Sequence, residues 1–453
     1  MAVAACGVGT SAGAAAAGPL AEPATTSQAL PFPAPPLPPE LDPGFYQPPH
    51  SVVSSTEPGG IIAARRVNLA YASVLPINID AWQLSFRSNN TRDEPIVGIT
   101  TVMSPRTQPG AEKHLLSYQF AEDSLGQYCR PSYLSQFGSA GPLAGSAETT
   151  SQFAVPIAAA QLGWTVAIPD HQGPNQAFGA GPLEGRITLD GIRAAENFEP
   201  LGLSRATKVG MTGYSGGAIA SGHAAEQHAS YAPDINIVGV AQGGVPADVG
   251  AMLRMASGNA GAGIISSGAL GATREYPELA KFFDEHLTPA GRAYFSAKDN
   301  LCQIPAALVV PFVDQRALFD IPDFFTHPTI VKAFEKLKMG RTVPDMPMFI
   351  FQSNPDWLVP VGVVNELVDT YCADPNAQVQ YVRDHFSEHL TLDLFGAPLQ
   401  IKYLKDRFAG VPAPTGCHTT DAGTVLADPN LWATLLPELG PTVLNLLGKP
   451  VGT

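Results

Sequence analysis

Charge is scarce in this chain of 453 residues: Asp, Glu, Lys and Arg make up 15% of it, and 26 basic residues face 40 acidic ones, for a net charge of −14. The basic residues are scattered, with no stripe of the kind that nucleic-acid binding requires. Cysteine is sparse too, five residues with no C-x-x-C pair, so a structural zinc site is not expected. Strong hydrophobic runs are missing. The one stretch of bilayer length, residues 1–30, holds eleven alanines among Gly, Ser and Thr, a weak membrane span. Sequence repeats of fixed period are absent as well, which argues against a solenoid or propeller. What is abundant is apolar residues (45%), 44 Gly and 43 Pro. That is enough for a sizeable core, which excludes wholesale disorder. The length exceeds the ~100–200 residues of an ordinary domain. A large α/β domain with an inserted subdomain fits it, as do two domains.

The N-terminal part reads as export sequence. Residues 1–30 carry one charge, Glu22, and lack both a basic leader and a leucine-rich core. Val3-Ala4-Ala5-Cys6 resembles the end of a bacterial lipoprotein signal, so a lipid anchor at Cys6 is a candidate, with the rest of such a signal lying before Met1. Residues 31–49 hold nine prolines and read as a semi-rigid polyproline spacer. The other cysteines, Cys129, Cys302, Cys372 and Cys417, are either buried thiols or two disulfides suited to an oxidising compartment. Three pairings are open to them. The chain thus divides into an export segment and spacer (1–50), a first core part (51–245), a helical insertion (246–344), a second core part (345–420) and a C-terminal flap or tail (421–453).

Within 51–420, apolar runs of strand length alternate with helical patterns, which predicts an α/β fold with a largely parallel sheet. Strands are expected at 67–77, 96–103, 114–120, 164–168, 207–211, 235–241, 348–352 and 379–382, with helices at 189–198 and 216–228. From 246 to 344 the alternation stops. That stretch reads as helical, with helices expected at 278–287 and 329–338 and an aromatic cluster at Phe319, Phe324 and Phe325.

Gly213-Tyr214-Ser215-Gly216-Gly217 fits G-x-S-x-G between a β-like run and an Ala-rich helical pattern. Strand, sharp turn and helix are the context of a nucleophile elbow. Small neighbours let the turn tighten and expose Oγ, and the helix N-terminus offers N–H groups to a developing oxyanion. Such a serine needs a carboxylate and then a histidine further along the chain. Asp356 lies in a loop just past the expected strand 348–352; Asp369, Asp374 and Asp384 are less well placed. His385 and His389 both follow the strand 379–382. The helix start signalled by Glu388 favours His389, leaving His385 as the rival base. His171, His223 and His228 read as structural. No metal or cofactor is called for.

Five segments together resemble the secretory lipase family typified by a fungal lipase A: Tyr118-Gln119-Phe120-Ala121-Glu122-Asp123-Ser124, Asp170-His171-Gln172-Gly173, Leu189-Asp190-Gly191-Ile192-Arg193-Ala194, the elbow, and Ser387-Glu388-His389-Leu390-Thr391. The resemblance covers about residues 50–420. It implies an α/β-hydrolase fold, with a large helical cap inserted after the strand that follows the elbow. It also implies hydrolysis of long-chain esters by a triad of Ser215, Asp356 and His389. The oxyanion hole would use the backbone N–H groups of Asp123 and Gly216, and the disulfides would be Cys129–Cys302 and Cys372–Cys417. The expected substrate is a lipid ester met at a lipid–water interface, and the aromatic insertion would line an acyl tunnel at Phe324 and Phe325. The expectation is therefore an exported serine esterase, most simply a triacylglycerol lipase. Its rivals are a short-chain carboxylesterase, a peptidase of the same fold, and a non-catalytic relative that binds surfaces.

Overall fold

The computed structural model describes residues 35–106, 110–140 and 152–452. Among them, ten strands form one sheet in the order β1-β4-β5-β7-β6-β8-β9-β10-β11-β12. The antiparallel end consists of β1 (Ile61–Arg66), β4 (Asp80–Asn89) and β5 (Pro95–Ser104), and β5 joins β7 (Thr165–Pro169) antiparallel. From β7 onward every pairing is parallel, through β6 (His114–Gln119), β8 (Lys208–Tyr214), β9 (Ile237–Gly243), β10 (Met348–Ser353), β11 (Gln378–Asp384) and β12 (Gly416–Ala422). A two-stranded ribbon, β2 (Ala70–Tyr71) with β3 (Leu75–Pro76), stands apart from the sheet.

Both faces of the sheet are covered, as a parallel sheet requires. Side chains alternate between two cores, as the strand period of two dictates. Leu115 and Ile350 face a core shared with α1 (Gly181–Asn197) and α2 (Gly216–Tyr231), while Leu116, Phe349 and Phe351 face the other. Between β9 and β10 the chain leaves the sheet for α3 (Val249–Ala256), α4 (Ala262–Thr273), α5 (Pro277–His286), α6 (Pro289–Ser296), α7 (Gln303–Leu308) and α8 (Pro328–Leu337). After β10 come α9 (Val361–Cys372), α10 (His389–Phe408), which lies across β8, β9 and β10, and α11 (Pro429–Leu446).

The fold departs from the sequence reading at its ends. The strand expected at 67–77 is only the small ribbon, and the true strands there, β1 and β4, went unread. In β4 the buried positions Gln83, Ser85 and Ser88 are polar, so no apolar run marks it. β12 is an exposed edge strand, equally silent to an apolar criterion. The polyproline spacer was expected to run to residue 49, but residues 39–46 are folded onto the sheet. Phe45 and Tyr46 pack on Val97 and Ile99, the Arg65 guanidinium sits 4.0 Å over the Phe45 ring, and the Tyr46 hydroxyl meets Ser132 Oγ at 3.0 Å. Two aromatic rings overrule the extended preference of the prolines around them. In the segment 421–453, expected as a C-terminal flap or tail, Leu431 and Val451 are buried, and Asn445 Nδ2 donates to Gln161 Oε1 at 2.7 Å. Cys6 lies outside the described residues.

Disulfides join Cys129 to Cys302 and Cys372 to Cys417. The first ties the loop after β6 to the helical insertion. The second ties the end of α9 to edge strand β12.

Candidate active site

The site gathers at the carboxyl ends of β6, β8, β10 and β11, where a parallel sheet presents its loops. At the end of β8 the chain makes an abrupt turn into α2. Ser215 sits at that turn with φ 52° and ψ −118°, a conformation that costs a non-glycine residue energy and is the mark of a strained elbow. The turn closes only over small residues. A Cβ on Gly217 would lie 2.0 Å from Gln119 O, and one on Gly216 would lie 1.7 Å from Asp123 Oδ1. The Ser215 N–H donates to Gly243 O at 3.0 Å, locking the elbow to β9.

His389 is the first residue of α10, and its position follows from local capping. Glu388 caps the helix by accepting from Leu390 N–H at 3.0 Å and Thr391 N–H at 2.8 Å, while Thr391 Oγ1 accepts from Glu388 N–H at 3.1 Å. One turn upstream, Asp384 accepts from Phe386 N–H at 2.8 Å and Ser387 N–H at 2.6 Å, shaping the loop. The Tyr214 hydroxyl, beside the nucleophile, donates to His389 O at 2.6 Å. The imidazole is thus placed by six hydrogen bonds from four side chains around its backbone. Its Nε2 lies 2.9 Å from Ser215 Oγ and its Nδ1 2.8 Å from Asp356 Oδ2.

Asp356 receives more than the histidine. Its Oδ2 also accepts from Ser353 Oγ and Gln352 Nε2, each at 2.8 Å, and its Oδ1 accepts from Leu358 N–H at 2.8 Å and Val359 N–H at 2.7 Å. Burial pushes this carboxyl up, but the hydrogen bond and charge of His389 and the two backbone N–H groups outweigh it. The net effect holds it below the ordinary carboxylate range, so Asp356 stays ionised. Gln352 and Ser353 carry no signal in a single sequence; only the return of the loop onto its own strand makes them partners.

Of the two candidate histidines, the structure brings His389 to Ser215 and leaves His385 elsewhere. His385 Nε2 meets Asp421 Oδ1 at 2.8 Å on the exposed edge strand. His171, His223 and His228 are buried and bonded, to Glu184 and Phe120 O, to Leu337 O, and to Asp345 and Ile235 O respectively.

The N-terminus of α2 leaves Gly216 N–H without an intrahelical acceptor, directed at the space before Ser215. The Asp123 N–H, expected to join it, lies 3.0 Å from the end of the Gln172 side chain; with the amide oriented to satisfy both neighbours, its oxygen faces that N–H and its nitrogen faces Ser124 O at 2.7 Å. The Asp123 side chain is what lies over Gly216. Its Oδ1 is buried without a partner, and its Oδ2 accepts from Gln303 Nε2 at 3.3 Å. Burial pushes this carboxyl up to about 6, against the hydrogen bond of Gln303. Behind it, burial pushes Glu122 up to about 8. Burial also opposes charge on His171, but the hydrogen bond and charge of Glu184 prevail and carry it to about 9.

A pocket opens from Ser215, walled by Phe178, Met252, Ile264, Ile265 and Leu358. Val249 and Gly268 also line a second small cavity inside the insertion, together with Phe283, Phe319, Phe324 and Leu337. Phe325 stacks behind Phe324 at 4.2 Å instead of lining that cavity.

A family model described as secretory lipase matches residues 143–416, well over half the chain. The chain belongs to the secretory lipase family. Among curated relatives, it is 37% identical to a protein of Mycobacterium tuberculosis named a probable inactive lipase, over 83% of this chain and 84% of that one. It is 33% identical to a secreted triacylglycerol lipase of Malassezia globosa, over 84% of this chain and 83% of that one. Among solved structures it is similar to Candida antarctica lipase A, with a TM-score of 0.83 and 28% identity, covering 93% of this chain and 99% of that chain. The family and its lipase A-like α/β-hydrolase fold are those that the five sequence segments pointed to.

Proposed function

We propose that the protein is a secreted triacylglycerol lipase that cleaves long-chain acyl esters through an acyl-enzyme on Ser215. The observation that carries the reading is the unbroken hydrogen-bonded line Ser215–His389–Asp356 at the mouth of an apolar pocket. Ser215 Oγ attacks the ester carbonyl as His389 Nε2 takes its proton. The tetrahedral oxyanion is offered the backbone N–H groups of Gly216 and Asp123, the latter shared with the Gln172 amide, and, when protonated, the Asp123 carboxyl. The ester C–O bond then breaks as His389 returns the proton to the leaving alcohol. Water repeats the sequence on the acyl-enzyme and frees the acid. Asp356, held ionised, steadies the imidazolium in both halves.

Substrate length follows from the helical insertion, which we read as a cap over the acyl chain. An apolar pocket that shares Val249 and Gly268 with a neighbouring, mostly aromatic and aliphatic cavity suits a fatty chain better than a peptide. This favours a lipase over a short-chain esterase or peptidase. Two disulfides, the export-like first residues and a secreted relative support secretion.

A second reading deserves a test because one relative is named a probable inactive lipase. A fluorophosphonate probe separates the two. Labelling of Ser215, together with faster turnover of long than of short p-nitrophenyl esters, is expected for the lipase. A chain that neither labels nor hydrolyses any ester would be a binder instead.

A further inference from the structure

Residues 303–313 read Gln-Ile-Pro-Ala-Ala-Leu-Val-Val-Pro-Phe-Val, without a single charge. Such a run belongs in a core, yet four of its large side chains stand in water: Ile304 is 46% exposed, Leu308 69%, Val310 57% and Phe312 66%. Scattered exposed apolar residues are ordinary, but four within nine positions make a patch.

The segment is built as a platform with two faces. On the inner face of α7, Ala306 is fully buried, and Ala307 packs so tightly on α4 that a Cβ on Gly263 would lie 2.0 Å from Ala307 O. Gln303 donates its N–H to Ser124 Oγ at 3.1 Å and its Nε2 to Ala121 O at 3.1 Å, so the helix sits directly on the loop carrying Asp123. On the outer face, Ile304 and Leu308 are one turn apart and project together. Both ends are pinned, one by the Cys129–Cys302 disulfide and the other by Gly258 N–H donating to Val313 O at 2.9 Å. Between them Val310 holds φ 46°, a conformation that a β-branched residue adopts only under constraint. The exposed side chains are therefore presented by a fixed scaffold.

We propose that residues 304–312 are the docking platform on which the protein settles onto an uncharged ester–water interface, with the oxyanion side of the site toward the lipid. The inference rests on the ester-hydrolase reading above. The occupant follows from charge and from position. A chain of net charge −14 is repelled by an anionic surface, whereas a patch without charge complements a neutral one. The patch rests on α4, whose Ile264 and Ile265 wall the Ser215 pocket, so a lipid touching it lies on the side of the molecule where the ester must enter. Trp357 and Leu390, next to Asp356 and His389 in the chain, are 42% and 65% exposed and leave the triad's own rim apolar as well.

The test uses the full chain with Leu308→Ser and Phe312→Ser together, both exposed positions that leave the core intact. Turnover of emulsified triolein should fall at least tenfold, with hydrolysis of monomeric p-nitrophenyl butyrate within twofold of wild type. Co-sedimentation of Ser215→Ala protein with triolein emulsion should be lost in the triple variant. Equal rates on emulsion, or an equal fall on both substrates, would overturn the proposal. So would retained emulsion binding with a loss of self-association on gel filtration, which would make a second copy the occupant. A parallel variant, Leu436→Ser with Leu439→Ser, both exposed on α11, should behave as wild type. If it alone abolishes emulsion binding, the docking face is α11. Should wild type hydrolyse no ester at all, the functional reading fails, and the binding arm still decides the platform.

Discussion

The Trp357 indole N–H donates to Glu388 Oε2 at 2.8 Å, joining the loop that carries Asp356 to the helix start that carries His389. Glu388 is thereby both the cap of α10 and the anchor for the orienting loop. Trp357→Phe should lower kcat several-fold with little change in KM or melting temperature, since it removes alignment and no core packing. Glu388→Ala should in addition cost about 1 kcal/mol of stability through the lost cap. Steady-state kinetics and thermal denaturation of the two variants check this.

The histidine assignment is decided by paired substitution. His389→Ala should reduce kcat on the order of 10⁶-fold, as loss of a triad base does. His385→Ala removes only an exposed pair with Asp421 and should leave turnover within twofold. The reverse pattern would reassign the base.

Asp123 gives a pH prediction. Its carboxyl is raised from 3.8 to about 6. Between those values only the folded state holds the proton, so this residue makes stability fall as pH rises through that window, and the penalty is complete above 6. Asp123→Asn removes the penalty and should stabilise the protein at neutral pH by up to roughly 3 kcal/mol. Denaturant titrations at pH 4 and pH 7 should show the gain only at the higher pH. If the neutral carboxyl also serves the oxyanion, Asn should move the alkaline limb of kcat/KM upward, while Asp123→Ala should lower it throughout.

The wall at Val249 is the fourth target. Val249 borders both the Ser215 pocket and the inner cavity, so Val249→Phe should obstruct the way between them. Turnover of palmitate esters should fall at least tenfold relative to butyrate esters. Phe324→Ser should also lower the long-to-short ratio, and Phe325→Ser much less, since it stands behind the wall. An unchanged ratio in both Val249→Phe and Phe324→Ser would remove the tunnel.

The Cys372–Cys417 bridge closes a loop with a sequence separation of 45 around His389. In the chain-entropy model such a loop is worth about 4 kcal/mol. The double Cys→Ser variant should lose stability of that order, and His389-dependent turnover should become more heat-sensitive. Free thiols on either cysteine in the purified native protein would remove the premise.

What the sequence determined by itself is what local pattern can carry. The G-x-S-x-G turn is a steric requirement, written in the glycines that must pass Gln119 O and Asp123. β10 is buried along its length and shows as an apolar run, and β8 and β9, nearly as buried, mix small residues into shorter ones, while β11 alternates. The Glu388–Thr391 box announces a helix start whatever lies around it. Strands with polar buried positions, such as β4, or with exposed faces, such as β12, have no such mark. The fold of residues 39–46 was equally silent, because its reason is a distant surface, Val97 and Ile99. Only the tertiary structure could choose His389 over His385 on geometry, since four residues of chain place one imidazole on Ser215 and the other on an edge-strand aspartate. It alone brought the Asp123 carboxyl over Gly216, and Gln352, Ser353 and Gln303 to the two carboxylates. These are contacts between segments far apart in the chain or folded back on themselves, and their partners are fixed by the closing of the sheet rather than by any spacing.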